Sequence, residues 1–132
     1  MSNKREILYR GICDDSTNPF FGQFIYGDLI EFIDLGSYIR ISSIKKYCIK
    51  VKEDTVGQYI GKSDIKGNKI FEGDYDHRKD VVGWCEKRNG WSLFTYNTKK
   101  NQLLDCHCHY CEGHYDLSDC LDTIHIVGTI HT

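Results

Sequence analysis

Residues 54–74 read DTVGQYIGKSDIKGNKIFEGD, and this stretch decides the fold. Gly57, Gly61, Gly67 and Gly73 interrupt short runs of Val, Tyr, Ile and Phe. β-Branched and aromatic residues favour the pleat of a strand and glycine supplies positive φ at corners, so the pattern is strand punctuation and not helix. Lys66-Gly67-Asn68 predicts a tight reversal, with Ile60 and Ile65 before it and Ile70 and Phe71 after it as the apolar faces of two strands. Glu72-Gly73-Asp74 is too polar and flexible to extend the buried run.

The same stretch contains Gly57-Gln58-Tyr59-Ile60-Gly61-Lys62-Ser63, which ends as a phosphate-cradling loop does. Such a loop needs four residues between its glycines and a helix after Lys-Ser, whose N-terminus faces the anion. Three residues stand there, and turn signals at Asp64 to Asn68 follow. Nucleotide binding at this position is therefore rejected.

Toward the N-terminus, Glu6 to Cys13 alternates as a first strand, and Asp14 to Pro19 is a loop. Gln23 to Ile33 predicts a long strand, bent or bulged at Gly27, with Phe24, Tyr26, Leu29 and Ile33 available to the core. Ser37 to Ile41 and Tyr47 to Val51, around Ser42-Ser43, complete a β-meander. Toward the C-terminus, Asp76 to Asp80 reads as a charged, solvated loop. Val81 to Glu86 and Trp91 to Asn97 flank Lys87-Arg88-Asn89-Gly90, a strong hairpin signal that sets Trp84 and Trp91 on facing strands as core anchors, with Phe71 and Ile130. Leu103 to Tyr110 predicts another strand, Leu117 to Leu121 one helical turn, and Ile124 to Ile130 the last strand.

The chain has 132 residues, 40% hydrophobic and 13% aromatic, enough for one domain or two small packed subdomains. No apolar run spans a bilayer and the start lacks a secretory h-region, so a cytoplasmic location without a membrane partner is expected. The seven cysteines are an odd count, which in a reducing compartment means free thiols. A net charge of −2 favours a protein partner over a nucleic acid. Lys45, Lys46, Lys50 and Lys52 around Tyr47 form the densest basic patch, which reads as an edge strand guarded by lysines against pairing.

Several motifs together resemble the YopX-like proteins of phages and prophages. Thr55-Val56-Gly57-Gln58-Tyr59-x-Gly61 with Gly67-x-x-Ile70-Phe71-Glu72-Gly73-Asp74 is similar to that family's core signature. Arg5-Glu6-Ile7-Leu8-Tyr9-Arg10-Gly11, Phe24-Ile25-Tyr26-Gly27-Asp28-Leu29 and Val127-Gly128-Thr129-Ile130 resemble its other motifs, so the likeness spans residues 1–132. The resemblance implies an all-β fold, with an N-terminal β subdomain at 1–53 packed on an SH3-like barrel subdomain at 54–132. It also implies a phage or prophage accessory role without an established activity, in the cytoplasm of a bacterial host. The edges of such a barrel could pair chains, so a homo-oligomer fits too.

The chain departs from the family by ending without an Asn-Pro-Glu-Leu-Leu tail and by carrying a Cys/His-rich insert. Cys108-x-x-Cys111 has the spacing by which two thiolates grip one tetrahedral zinc, and Cys106, His114 or Cys120 could complete the set. With no second such pair in the sequence, stoichiometric zinc is not expected, and plain reduced thiols are. No constellation argues for catalysis. Cys106, Cys108 or Cys111 beside a histidine is adjacency without geometry, and His77 near Asp74, Asp76 and Asp80 reads as solvated loop. The expected role is a non-catalytic binding or interaction module.

Overall fold

A computed structural model describes residues 6–41 and 48–131. The fold is all-β, with two antiparallel sheets. The chain divides into two compact units between Tyr59 and Ile60, inside one strand and not at Glu53.

The first unit is the predicted meander. β1 (Tyr9–Ile12), β2 (Phe24–Phe32), β3 (Gly36–Arg40) and β4 (Cys48–Lys50) lie in chain order, and the start of β5 (Gly57–Ser63) joins the other side of β1. Because strand side chains alternate, Ile25 and Leu29 of β2 face inward with Ile39 and Ile49, while Cys13 and Val51 close the same aliphatic cluster. That parity corrects the sequence reading. Tyr26 is half exposed on the opposite face, Phe24 lies with it under the Arg10 guanidinium, and Ile33 stands in solvent beyond the strand end. Gly27 makes no bulge, since the β1–β2 register is unbroken up to its pairing with Tyr9 and the β2–β3 register begins at Asp28. It is needed for closeness, because a Cβ there would run into the Arg40 carbonyl oxygen. β4 is the edge strand and carries the exposed Lys50, whereas Ser42 to Tyr47 lie outside the described residues.

In the second unit β5 continues to Ser63 and reverses into β6 (Lys69–Phe71). The reversal is the predicted one, held by Asp64, whose carboxylate accepts the backbone N–H groups of Lys66, Asn68 and Ile126. Gly57–Ser63 is thus strand throughout, a geometry in which no phosphate loop forms. Ile65 turns out to solvent. β7 (Asp74–Asp76), β8 (Val81–Cys85), β9 (Gly90–Asn97), β10 (Gln102–Cys106) and β11 (Ile126–Thr129) form a sheet in the order β10-β9-β8-β7-β11. A single helical turn, α1 (Leu117–Cys120), covers its core with Leu117 and Cys120 against Ile60, Ile70, Val82, Leu93 and Ile124.

The Asn-Gly hairpin forms as read, with Trp84 opposite Trp91 and their rings edge to face at 5.2 Å. Only Trp91 packs on the core; Trp84 is 41% exposed. The expected strand at Leu103 to Tyr110 stops at Cys106, where the chain breaks register and turns away. Asp76 to Asp80 is the expected charged turn, exposed at His77 to Lys79, but its aspartates are not solvated. Asp74, Asp76 and Asp80 are all buried, and Asp76 accepts the backbone N–H groups of Arg78 and Asp80 to close a tight turn.

Candidate metal centre

At the hairpin end of the second unit's sheet, β8 finishes on Cys85 and β10 on Cys106. Beyond Cys106 the chain makes a 3-10 turn, His109–Cys111, and leaves it through Glu112 in the left-handed conformation at φ 60°. The Cys108 carbonyl accepts the N–H of Cys111 at 3.1 Å and of Gly113 at 2.9 Å, so the backbone wraps around Cys108. Gly113 has a steric reason: a Cβ there would strike the His107 backbone. The Tyr115 N–H returns to the His107 carbonyl and fastens the loop.

This folding brings four sulfurs together. The Sγ atoms of Cys85, Cys106, Cys108 and Cys111 all lie within 4.8 Å of one another, Cys85 being 3.7 Å from Cys108 and 3.5 Å from Cys111. Four thiolates around one zinc at the usual bond length sit about 3.8 Å apart along each edge of the tetrahedron. Cys85 and Cys108 are buried, with Phe94 packed beside them, while Cys106 and Cys111 are half-buried. The Arg88 N–H donates to the Cys85 sulfur at 3.5 Å, so the hairpin turn supplies to Cys85 an N–H···S bond of the kind that supports a metal-bound thiolate.

The thiols are electrostatically unequal. Burial pushes Cys108 up, but hydrogen bonds from Cys106, from the Cys111 backbone N–H and from the Cys111 and Cys85 thiols outweigh it and bring it down to about 7. Cys111 is pushed up to about 12, first by its hydrogen bond with Cys85 and then by burial; Cys106 is raised chiefly by burial. Within the cluster, negative charge is thus favoured on Cys108 and disfavoured on Cys106 and Cys111, whereas a divalent cation would draw the thiolate form from every sulfur it bound.

Of the five residues proposed from sequence, Cys106, Cys108 and Cys111 meet. His114 is exposed and outside the cluster, and Cys120 is buried in the aliphatic core, where its sulfur meets the Arg78 guanidinium at 3.5 Å. Sequence reasoning missed Cys85. Its signal was position, at the end of a strand entering the Asn-Gly hairpin, with Arg88 three residues on offering the N–H.

Surrounding groups are committed elsewhere. Asp80 accepts the Tyr115 hydroxyl at 2.6 Å and stands 3.3 Å from His107 Nε2, which also meets Thr95 Oγ1 at 3.1 Å. Arg78 lies over the Tyr115 ring and pairs with Asp76. Burial first, and then the bond to Asp80, raise the Tyr115 hydroxyl well above its ordinary value. His77 is exposed with its ring stacked beside His125, whereas Asp74, Asp76 and Asp80 are buried in bonds of their own, so the inward-pointing acid–base set considered from sequence does not assemble. The histidines beside the cysteines likewise bond carboxylates and not thiols, His107 to Asp80 and His109 to Asp116. No family model matches the chain, and no curated protein matches it.

Proposed function

We propose that this protein is a non-catalytic binding module whose second unit is held together by one zinc ion on Cys85, Cys106, Cys108 and Cys111. The observation that carries the reading is the convergence of four sulfurs, two of them buried, at edge lengths suited to a tetrahedral zinc–thiolate centre. The expectation of a zinc-free chain rested on the missing second half of the ligand set; Cys85 supplies a fourth thiol. Small apolar packing also buries cysteines, but it has no reason to aim four sulfurs at one point.

Soft thiolates select zinc or iron over magnesium and calcium, and four protein ligands leave no position for water or substrate. The centre is therefore structural. The YopX-like resemblance supports a phage or prophage accessory role and an SH3-like description of the second unit. The acidic balance supports a protein partner in the bacterial cytoplasm. Elemental analysis of protein purified without chelator tests the metal. Near one zinc per chain is expected, with a lower melting temperature after chelation; a metal-free, chelator-insensitive chain refutes the centre.

A further inference from the structure

We infer that Asp116 is the positioning residue of this metal centre, clamping its two ligand-bearing segments into one site. The inference rests on the zinc reading above and deepens it. Asp116 Oδ1 receives Arg88 Nη1 at 2.7 Å and the His109 backbone N–H at 3.1 Å, and Asp116 Oδ2 meets His109 Nδ1 at 3.0 Å. Arg88 follows Cys85 in the hairpin turn and donates its own N–H to that sulfur. His109 lies between Cys108 and Cys111 in the 3-10 turn. One carboxylate thus grips both segments that present sulfur, and neither of its oxygens is left over.

The position of the carboxylate is itself determined. Asp116 precedes α1, its backbone N–H bonds the Asp119 carboxylate at 3.3 Å, and its side chain is only 18% exposed. Its ionised form is strongly favoured: the His109 hydrogen bonds, side chain before backbone, and then Arg88 outweigh burial and hold it at about 2. The carboxylate therefore stays charged across the working range. Outer-shell groups of this kind tune metal affinity without touching the metal.

The test is zinc affinity by competition with a chromophoric chelator, for wild type, Asp116→Asn, Asp116→Ala, Arg88→Ala, the Asp116→Ala/Arg88→Ala double variant and Asp119→Asn. The Asp116 and Arg88 variants are expected to lose about 10- to 100-fold in affinity while still binding one equivalent. The cobalt-substituted proteins should keep the absorption of a four-thiolate tetrahedral site. The double variant should lose little more than either single one, because both remove the same bridge. Asp119→Asn removes a charge from α1 but keeps a side-chain oxygen to accept the Asp116 N–H, so the bridge stays in place and the variant should bind as wild type does. Unchanged affinity in Asp116→Ala, or additive losses in the double variant, overturns the clamp and leaves the zinc reading standing. A wild-type chain that takes up neither zinc nor cobalt overturns both.

Discussion

The first unit closes its core with aliphatic side chains, Ile25, Ile39, Ile49 and Val51 around a single cysteine, Cys13. The second has an aliphatic cluster of its own, yet at one end of its sheet the buried residues are Cys85 and Cys108 with Phe94, and two more sulfurs beside them. Aliphatic packing stabilises through area removed from water and needs no partner. Sulfur contributes less area and carries a titratable proton, so its burial in a set of four makes sense when a cation organises it. Small units with limited cores commonly recruit such a staple.

The comparison breaks most visibly at Cys85. Cys85→Ser removes a buried sulfur of the proposed zinc set, and because metal-binding free energy is folding free energy in such sites, the loss should reach several kcal/mol, enough to open the 106–113 loop. Hydrogen exchange read by mass spectrometry should show protection lost around 81–113 and retained at 9–40. Protection lost equally in both units would mean that Cys85 stabilises the whole chain and not the second unit alone.

That prediction turns on the one sulfur of the cluster that the sequence did not disclose, and the reason is physical. The Cys108-x-x-Cys111 turn is local, so its spacing can be read directly. Cys85 reaches the cluster only through the register β8-β9-β10, which a linear reading does not contain. The hairpins at Asp64 to Asn68 and Lys87 to Gly90 were legible because turn chemistry is local too. Strand faces were less so: apolar character turns Phe24 and Tyr26 inward against parity, whereas β1 and β3 pair so that Ile25 and Leu29 face the core, and Ile33 shares their parity but lies past the end of β2. The aspartates at 74, 76 and 80 misled in the opposite direction, since a carboxylate that collects backbone N–H bonds can be buried.

Proton linkage sharpens the contrast, because metal loading should reverse its sign. In the metal-free chain Cys111 and Cys106 are raised, so folding favours their thiol forms; their contribution is full below the unfolded thiol value of about 8.5 and is lost as pH rises through the folded values. Cys108, lowered to about 7, contributes above the unfolded value and loses that contribution as pH falls through 7. With zinc bound all four sulfurs are thiolates, so only the acid-side loss remains. Melting of the chelated protein should therefore weaken as pH rises above about 9, and melting of the zinc-loaded protein should weaken on acidification instead. The same alkaline loss with and without zinc would contradict the four-thiolate set.

A core substitution in the first unit gives the reciprocal control. Ile39 is fully buried, opposite Leu29 on one side and Ile49 on the other. Ile39→Ala should lower stability by about 2–5 kcal/mol in a urea titration. The decrement should be the same with zinc or with chelator, because no metal acts on that cluster.

The smallest effect is expected at Trp84, where apolar bulk and burial diverge. Its ring meets Trp91 edge to face at 5.2 Å across the β8–β9 ladder but is 41% exposed, so it covers its neighbour without filling the core. Trp84→Ala should therefore lower stability by about 0.5–1.5 kcal/mol, the range of an aromatic pair, and not by the 3–5 kcal/mol of a buried tryptophan. Because the same hairpin delivers Cys85 and the Arg88 N–H, zinc affinity is the second measurement to make on this variant. An unchanged affinity would show that the turn, through its own backbone bonds, holds the ligand without help from the aromatic pair. A loss above about 3 kcal/mol would place Trp84 in the core after all.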